Sequence, residues 1–201
     1  MKKAVVAVVL IPAVVAVVFA FKSFLFSSAA AGAQTSERAA ASLQSKIDTI
    51  KRANDDKNRR VQQKLEISEP ELESYVLVAL KEDIPVRIES MRVRLTPGAI
   101  AADTRLTIPP GGTGNALVDA LVDGTHNLYV KGKLIGAKGE GKFDLQDVRV
   151  DGIPVPNILV DTLIKRYAKP KYPDVDLKEP FDLPWGIDAI DIGQGKATIT
   201  Y

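Results

Sequence analysis

"VRIESMRVRLTPGAIAADTRLTI", Val86 to Ile108, is the stretch that decides the fold. Apolar residues at Val86, Ile88, Met91, Val93 and Leu95 alternate with polar ones. After "TPG" the alternation resumes through Ile100, Ala102, Thr104, Leu106 and Ile108. A period of two marks strands with one buried face, because successive side chains point to opposite sides. The Pro-Gly between the runs predicts a turn, so the two strands form a hairpin. The pattern slips by one residue at Glu89-Ser90, which predicts a β-bulge.

The same signal recurs outward from this hairpin. "HNLYVKGKLIG" carries Leu128, Val130 and Leu134 on one face, and "GKFDLQDVRV" carries Phe143 and Leu145, then Val148 and Val150 after a second slip. The C-terminal "GIDAIDIGQGKATITY" reads as a hairpin of residues 187–192 and 196–201 turning at "GQG". Two segments have helical spacing instead. In "ISEPELESYVLVAL", Ser68 and Glu71 form a capping box, Pro70 sits in the first turn, and Leu72, Tyr75, Val76, Ala79 and Leu80 form the apolar stripe. In "VDGIPVPNILVDTLIKRYAKPKY", Val150 to Tyr172, Asn157 caps a helix whose stripe is Leu159, Val160, Leu163, Ile164 and Tyr167, widened by Ile158. "PPGGTG" reads as a loop, "NALVDALVDG" as a short amphipathic turn or helix, and "AKPKYPDVDLKEPFDLPW" as a connector that Trp185 anchors. The expected class is α+β, a long curved antiparallel sheet of about six strands wrapped around one or two helices.

Three divisions follow. Residues 1–33 begin "MKK", continue with an apolar run of 18 residues from Ala4 to Phe21, and end in "AAAGA". This is a secretory signal or a retained membrane helix, with Lys2 and Lys3 cytoplasmic and the rest exported to the periplasm or another extracytoplasmic space. Residues 34–65 lack Pro and Gly, place Leu43, Ile47 and Ile50 at helical spacing and then turn fully charged at "KRANDDKNRR". They read as a solvated helical stalk. Residues 66–201 are the folded domain.

Composition narrows function. Lys2, Lys3 and Lys22 lie in the leader, leaving 24 of the 27 basic residues against 25 acidic ones, so no basic surface for nucleic acid is expected. There is no cysteine and one histidine, His126, expected as a solvated turn residue after "DGT". Transition-metal and thiol chemistry therefore lack their usual ligands. No G-x-S-x-G elbow, phosphate loop or calcium loop is present, and the carboxylates from Asp144 to Asp191 mostly alternate with apolar residues as solvated strand faces do. The expectation is a protein without catalytic residues, metal or cofactor.

The order of "ISEPELESYV", "MRVRLTPGAI", "VRVDGIPVPNILVDTLIKRY" and "PFDLPWGIDAIDIGQGKATITY" over Ile67 to Tyr201 resembles the LmeA-type and YpmS-type bacterial exported lipid-binding proteins. These are similar in turn to the tubular lipid-binding fold, in which a long sheet wraps a helix. The resemblance implies an apolar trough closed by the helix from Asn157 to Ala168. Its walls would be Tyr75, Val76, Leu80, Leu106, Ile158, Leu159, Leu163, Ile164 and Tyr167. It implies a lipid or other apolar ligand and a membrane association through residues 4–21. An envelope assembly factor that binds a protein partner is the competing expectation.

Overall fold

The computed structural model describes residues 36–55, 62–79, 87–108, 124–156, 158, 160 and 179–201. The expected leader, the "PPGGTGNALVDALVD" segment and most of the expected helix and connector between 157 and 178 lie outside the described residues.

The deciding hairpin forms as its alternation predicts. β2 (Arg87–Thr96) pairs antiparallel with β3 (Ala99–Ile108), and the register slips between Ile88 and Ser90, leaving Glu89 as the bulge. Gly98 closes the turn at φ 71°, a conformation that costs glycine nothing. β4 (Gly124–Ala137) pairs with β3 along one side and with β5 (Glu140–Val150) along the other. The second predicted slip is also present: Gly132 faces Leu145 but Lys131 faces Asp147, so Gln146 is the extra residue.

The C-terminal hairpin, β8 (Ala189–Ile192) and β9 (Lys196–Thr200), joins this meander where Ile190 meets Gly136 of β4. Glycine suits this close approach, since a Cβ there would lie 3.0 Å from the Ile190 Cβ. β9 in turn pairs with β1 (Lys64–Ser68), while two-residue strands β6 (Ile153–Pro154) and β7 (Phe181–Asp182) border β5. Among the described residues the result is one open, nine-stranded sheet in which every pairing is antiparallel. The six expected strands are there; β1, β6 and β7 are additional, and the last two, of two residues each, are too short to show a period.

Two helices cover one face of the sheet. α1 (Glu37–Asp55) is capped by Ser36, whose Oγ accepts from the Ala39 N–H at 3.0 Å. Its Ala40, Leu43, Ile47 and Ile50 are buried, and the last three join the same core as the strands. The expected solvated stalk is thus corrected: residues 37–55 are part of the folded body. Leu43, Ile47 and Ile50 on one stripe, each stabilising by roughly 1.5–3 kcal/mol when buried, outweigh the charges on the other faces. Even the charged end is engaged, with the Lys51 ammonium 4.9 Å above the Trp185 ring.

α2 (Glu69–Ser74) starts at the predicted capping box: the Glu71 carboxylate accepts from both the N–H and the hydroxyl of Ser68, each at 2.9 Å. It does not continue as a regular helix. Tyr75–Ala79 form a π-helical turn, and its wider spiral ends the expected stripe early. Tyr75 and Val76 are buried, but Ala79 is exposed, and Leu80 lies outside the described residues.

The covered face gathers Met91, Val93 and Leu95 of β2, Ala102 and Leu106 of β3, Leu128, Val130 and Leu134 of β4, and Phe143 and Val148 of β5. The opposite face is solvated and charged, carrying the Arg94–Asp103 and Arg149–Asp147 ion pairs.

Candidate functional site

The apolar face is the first candidate. Of the expected trough residues, Tyr75, Val76 and Leu106 are buried in the one cluster that also holds Met91, Leu128 and Val160. Val160 is helical, 1% exposed, and donates its N–H to the Pro156 carbonyl. Ile158 is helical but 74% exposed. Residues two apart on a helix point about 200° apart, so one of the pair must face outward when the other faces in. Ile158, expected on the apolar inner side, is therefore on the solvent side of this turn. Leu159, Leu163, Ile164 and Tyr167 lie outside the described residues.

A polar atom interrupts this face. Thr104 sits in the apolar phase of β3, directly between Met91 of β2 and Leu128 of β4, and is 2% exposed. Its hydroxyl has no hydrogen-bond partner. The sequence carried the signal, a hydroxyl at an apolar beat of the alternation, but β-branched threonine is common in strands and drew no notice.

A second candidate is a groove of about 620 Å³ where α1, β1, the start of α2 and the β8–β9 turn meet. Arg38, Ser42, Lys46, Glu66, Glu71 and Lys196 are among its lining residues. At its base the buried Glu71 carboxylate accepts from Ser42 Oγ at 2.6 Å and pairs with the Lys46 ammonium at 2.7 Å. Burial pushes the Glu71 carboxyl up, but Lys46, Ser42 and the two Ser68 donors together outweigh it and hold it at about 2. Lys46 also donates to the Glu66 carbonyl, and Lys196 pairs with the Glu66 carboxylate. Lys46, Glu71, Glu66 and Lys196 satisfy one another, so this part of the groove is a latch that fastens α1 to the β1–α2 corner.

The third is His126, which the structure places within β4 rather than in a turn. Its Nδ1 lies 2.7 Å from Asp151 Oδ2, and the ring is mostly buried. Asp151, at φ 50°, also accepts from the Asn127 N–H at 2.8 Å. That bond, then the His126 contact, holds the Asp151 carboxyl below its usual range. The strand shift from turn to β4 has a simple cause: pairing with β3 extends to Gly124, so the "GTH" residues are recruited into the ladder.

Among the described residues, no group of three or more His, Cys, Asp or Glu side chains is arranged to hold a metal ion, and no helix is long and apolar enough to cross a membrane. Comparison with known proteins gives no match, whether with family models, curated sequences or solved structures.

Proposed function

We propose that this protein is a non-enzymatic lipid-binding protein of the cell envelope. In this reading it holds acyl chains in an apolar trough between the curved sheet and the helix that carries Val160. The observation that supports it most is the extent of the apolar face. β2, β3, β4 and β5 run for 10, 10, 14 and 11 residues and share one side that is apolar apart from Thr104 and His126. At about 3.3 Å per residue, even ten residues span roughly 33 Å, longer than an extended acyl chain of some sixteen carbons. Each methylene buried there stabilises the complex by about 0.8 kcal/mol. The order of the "DGIPVP" and "LPWGI" segments supports the same reading by its resemblance to exported lipid-binding proteins. The leader, as signal or anchor, would deliver the domain to the outer side of the cytoplasmic membrane.

The test is native mass spectrometry of the full chain after mild extraction from membranes. Co-purifying acyl lipid, released on unfolding, is the expected result. A protein that carries no lipid and binds none when offered phospholipid vesicles would overturn the reading. One observation favours a second reading, an assembly factor that binds a protein partner: Ile153, Pro154, Pro156 and Ile158 are all exposed along one short segment. Exposed apolar residues grouped in this way suit a protein contact. Cross-linking at Ile153 to a specific protein, with no lipid recovered, would favour it.

A further inference from the structure

The buried polar side chains of the described core are Glu71, Ser74 and Thr104. Glu71 is saturated by Ser42, Lys46 and Ser68, and Ser74 Oγ accepts from the Ser36 N–H at 3.2 Å. Thr104 alone of the three has an unpartnered side-chain atom, with apolar Met91 and Leu128 on either side. An orphaned hydroxyl in an apolar interior destabilises the empty protein, and valine would fill the same space without that penalty. Strand propensity does not account for it, because valine is equally well suited to β3.

We infer that the Thr104 hydroxyl is the hydrogen-bond donor to a bound ligand, and that this ligand is an acyl ester or acid whose carbonyl oxygen reaches β3 between Met91 and Leu128. The inference rests on the lipid-binding reading and narrows it, since a pure hydrocarbon would leave the hydroxyl orphaned. Glu71 and Ser74, already satisfied, have nothing to offer such a carbonyl.

The experiment compares wild type, Thr104→Val and Thr104→Ser as full chains held in amphipol. Each is titrated with methyl palmitate and with n-octadecane, read by displacement of anilinonaphthalene sulfonate. Loss of one neutral hydrogen bond should weaken methyl palmitate about 5- to 10-fold in Thr104→Val, leave n-octadecane undiminished, and be largely restored in Thr104→Ser. The ligand-free Thr104→Val protein should melt higher than wild type, because the orphan is gone. Equal binding of methyl palmitate by wild type and Thr104→Val would overturn the inference while leaving the lipid reading standing. A wild type that binds neither compound would overturn both.

Discussion

The Glu73 carboxylate accepts the Val93 N–H at 2.7 Å, and one turn earlier Glu69 accepts the Leu95 N–H at 2.6 Å. Among the described residues β2 ends the sheet order on that side, so these N–H groups belong to an edge strand. Two carboxylates spaced i, i+4 on α2 stand where a neighbouring strand would. Uncapped edges recruit other chains, and natural sheets cover them. Burial raises the Glu73 carboxyl, against the pull of the Val93 N–H, which fits a group held in a dry seam between helix and strand.

The first prediction follows directly. Glu69→Ala with Glu73→Ala should uncover the Val93 and Leu95 N–H groups and convert the protein to dimers or larger assemblies, seen by light scattering after size exclusion. Glu69→Gln with Glu73→Gln keeps an acceptor at each position and should stay monomeric. Equal behaviour of the two double variants would mean that the α2 backbone, not its carboxylates, protects the edge.

Acid stability is set in the opposite sense by Glu71. Its carboxyl falls from 4.5 to about 2 on folding, so the folded protein binds the proton more weakly than the unfolded chain. The contribution is present above about pH 4.5 and is lost as pH falls toward 2. A change of that size is worth on the order of 3 kcal/mol. Glu73, raised on folding, works against this and loses stability as pH rises through its folded pKa. Urea unfolding between pH 6 and pH 2 should therefore show a steep acid loss in wild type. Lys46→Met removes the counter-charge, so it should lower stability near neutrality and flatten the acid slope.

α1 supplies a third test. A stalk could be removed without harm, whereas Leu43, Ile47 and Ile50 are core. Leu43→Ala should cost about 2–5 kcal/mol, as buried leucines do. A chain starting at Gln62 should fail to fold, judged by loss of cooperative melting and of dispersed amide resonances. A cooperative melt of that shortened chain would restore the stalk reading.

The His126–Asp151 contact changes what is expected of the lone histidine. With Asp151 accepting from Asn127 N–H and touching His126 at a left-handed backbone position, Asp151→Ala loses two partners and gains strain. A loss of about 1–2 kcal/mol is expected, with Asp151→Asn retaining roughly half through its acceptor oxygen and its tolerance of positive φ. Thermal melts decide it. A silent Asp151→Ala would return His126 to the role of a passive surface residue.

What could be read in the sequence was whatever repeats at short range. The strands from Arg87 to Val150 announced themselves by a period of two, both bulges by a one-residue slip, and the start of α2 by Ser68 and Glu71. What could not be read depended on partners far along the chain. β1 is five residues long and exists because Ile67 faces Ala197, and α1 looked solvated because its neighbours near residues 69–79 and 184–186 are remote in sequence. His126 finds Asp151 only because β4 and β5 lie side by side. The apolar face is intermediate: Tyr75, Val76 and Leu106 were legible as apolar and are buried, but which of Ile158 and Val160 turns inward was not, since the two are equally apolar.

That last ambiguity yields the final prediction. Ile158 and Val160 differ by one methylene and two positions, yet one is almost wholly exposed and the other almost wholly buried. If the helix covers the sheet with its Val160 side, Ile158→Asp introduces a charge that stays in water. The melting temperature should hold within a degree or two, and binding of methyl palmitate should not change. Val160→Asp places the same charge inside the apolar core, where an unpaired carboxylate costs several kcal/mol. If an acyl chain occupies that space, Val160→Asp should also lose binding under conditions where the fold survives. Val160→Ala separates the two effects, because it enlarges the space without adding charge. It should lower the melting temperature of the ligand-free protein by several degrees and recover part of that loss when methyl palmitate is added, since a ligand that binds only the folded state stabilises it. A Val160→Ala protein whose melt is indifferent to methyl palmitate, beside a wild type that responds, would place the ligand elsewhere on the sheet. An Ile158→Asp protein that loses binding would turn the helix around.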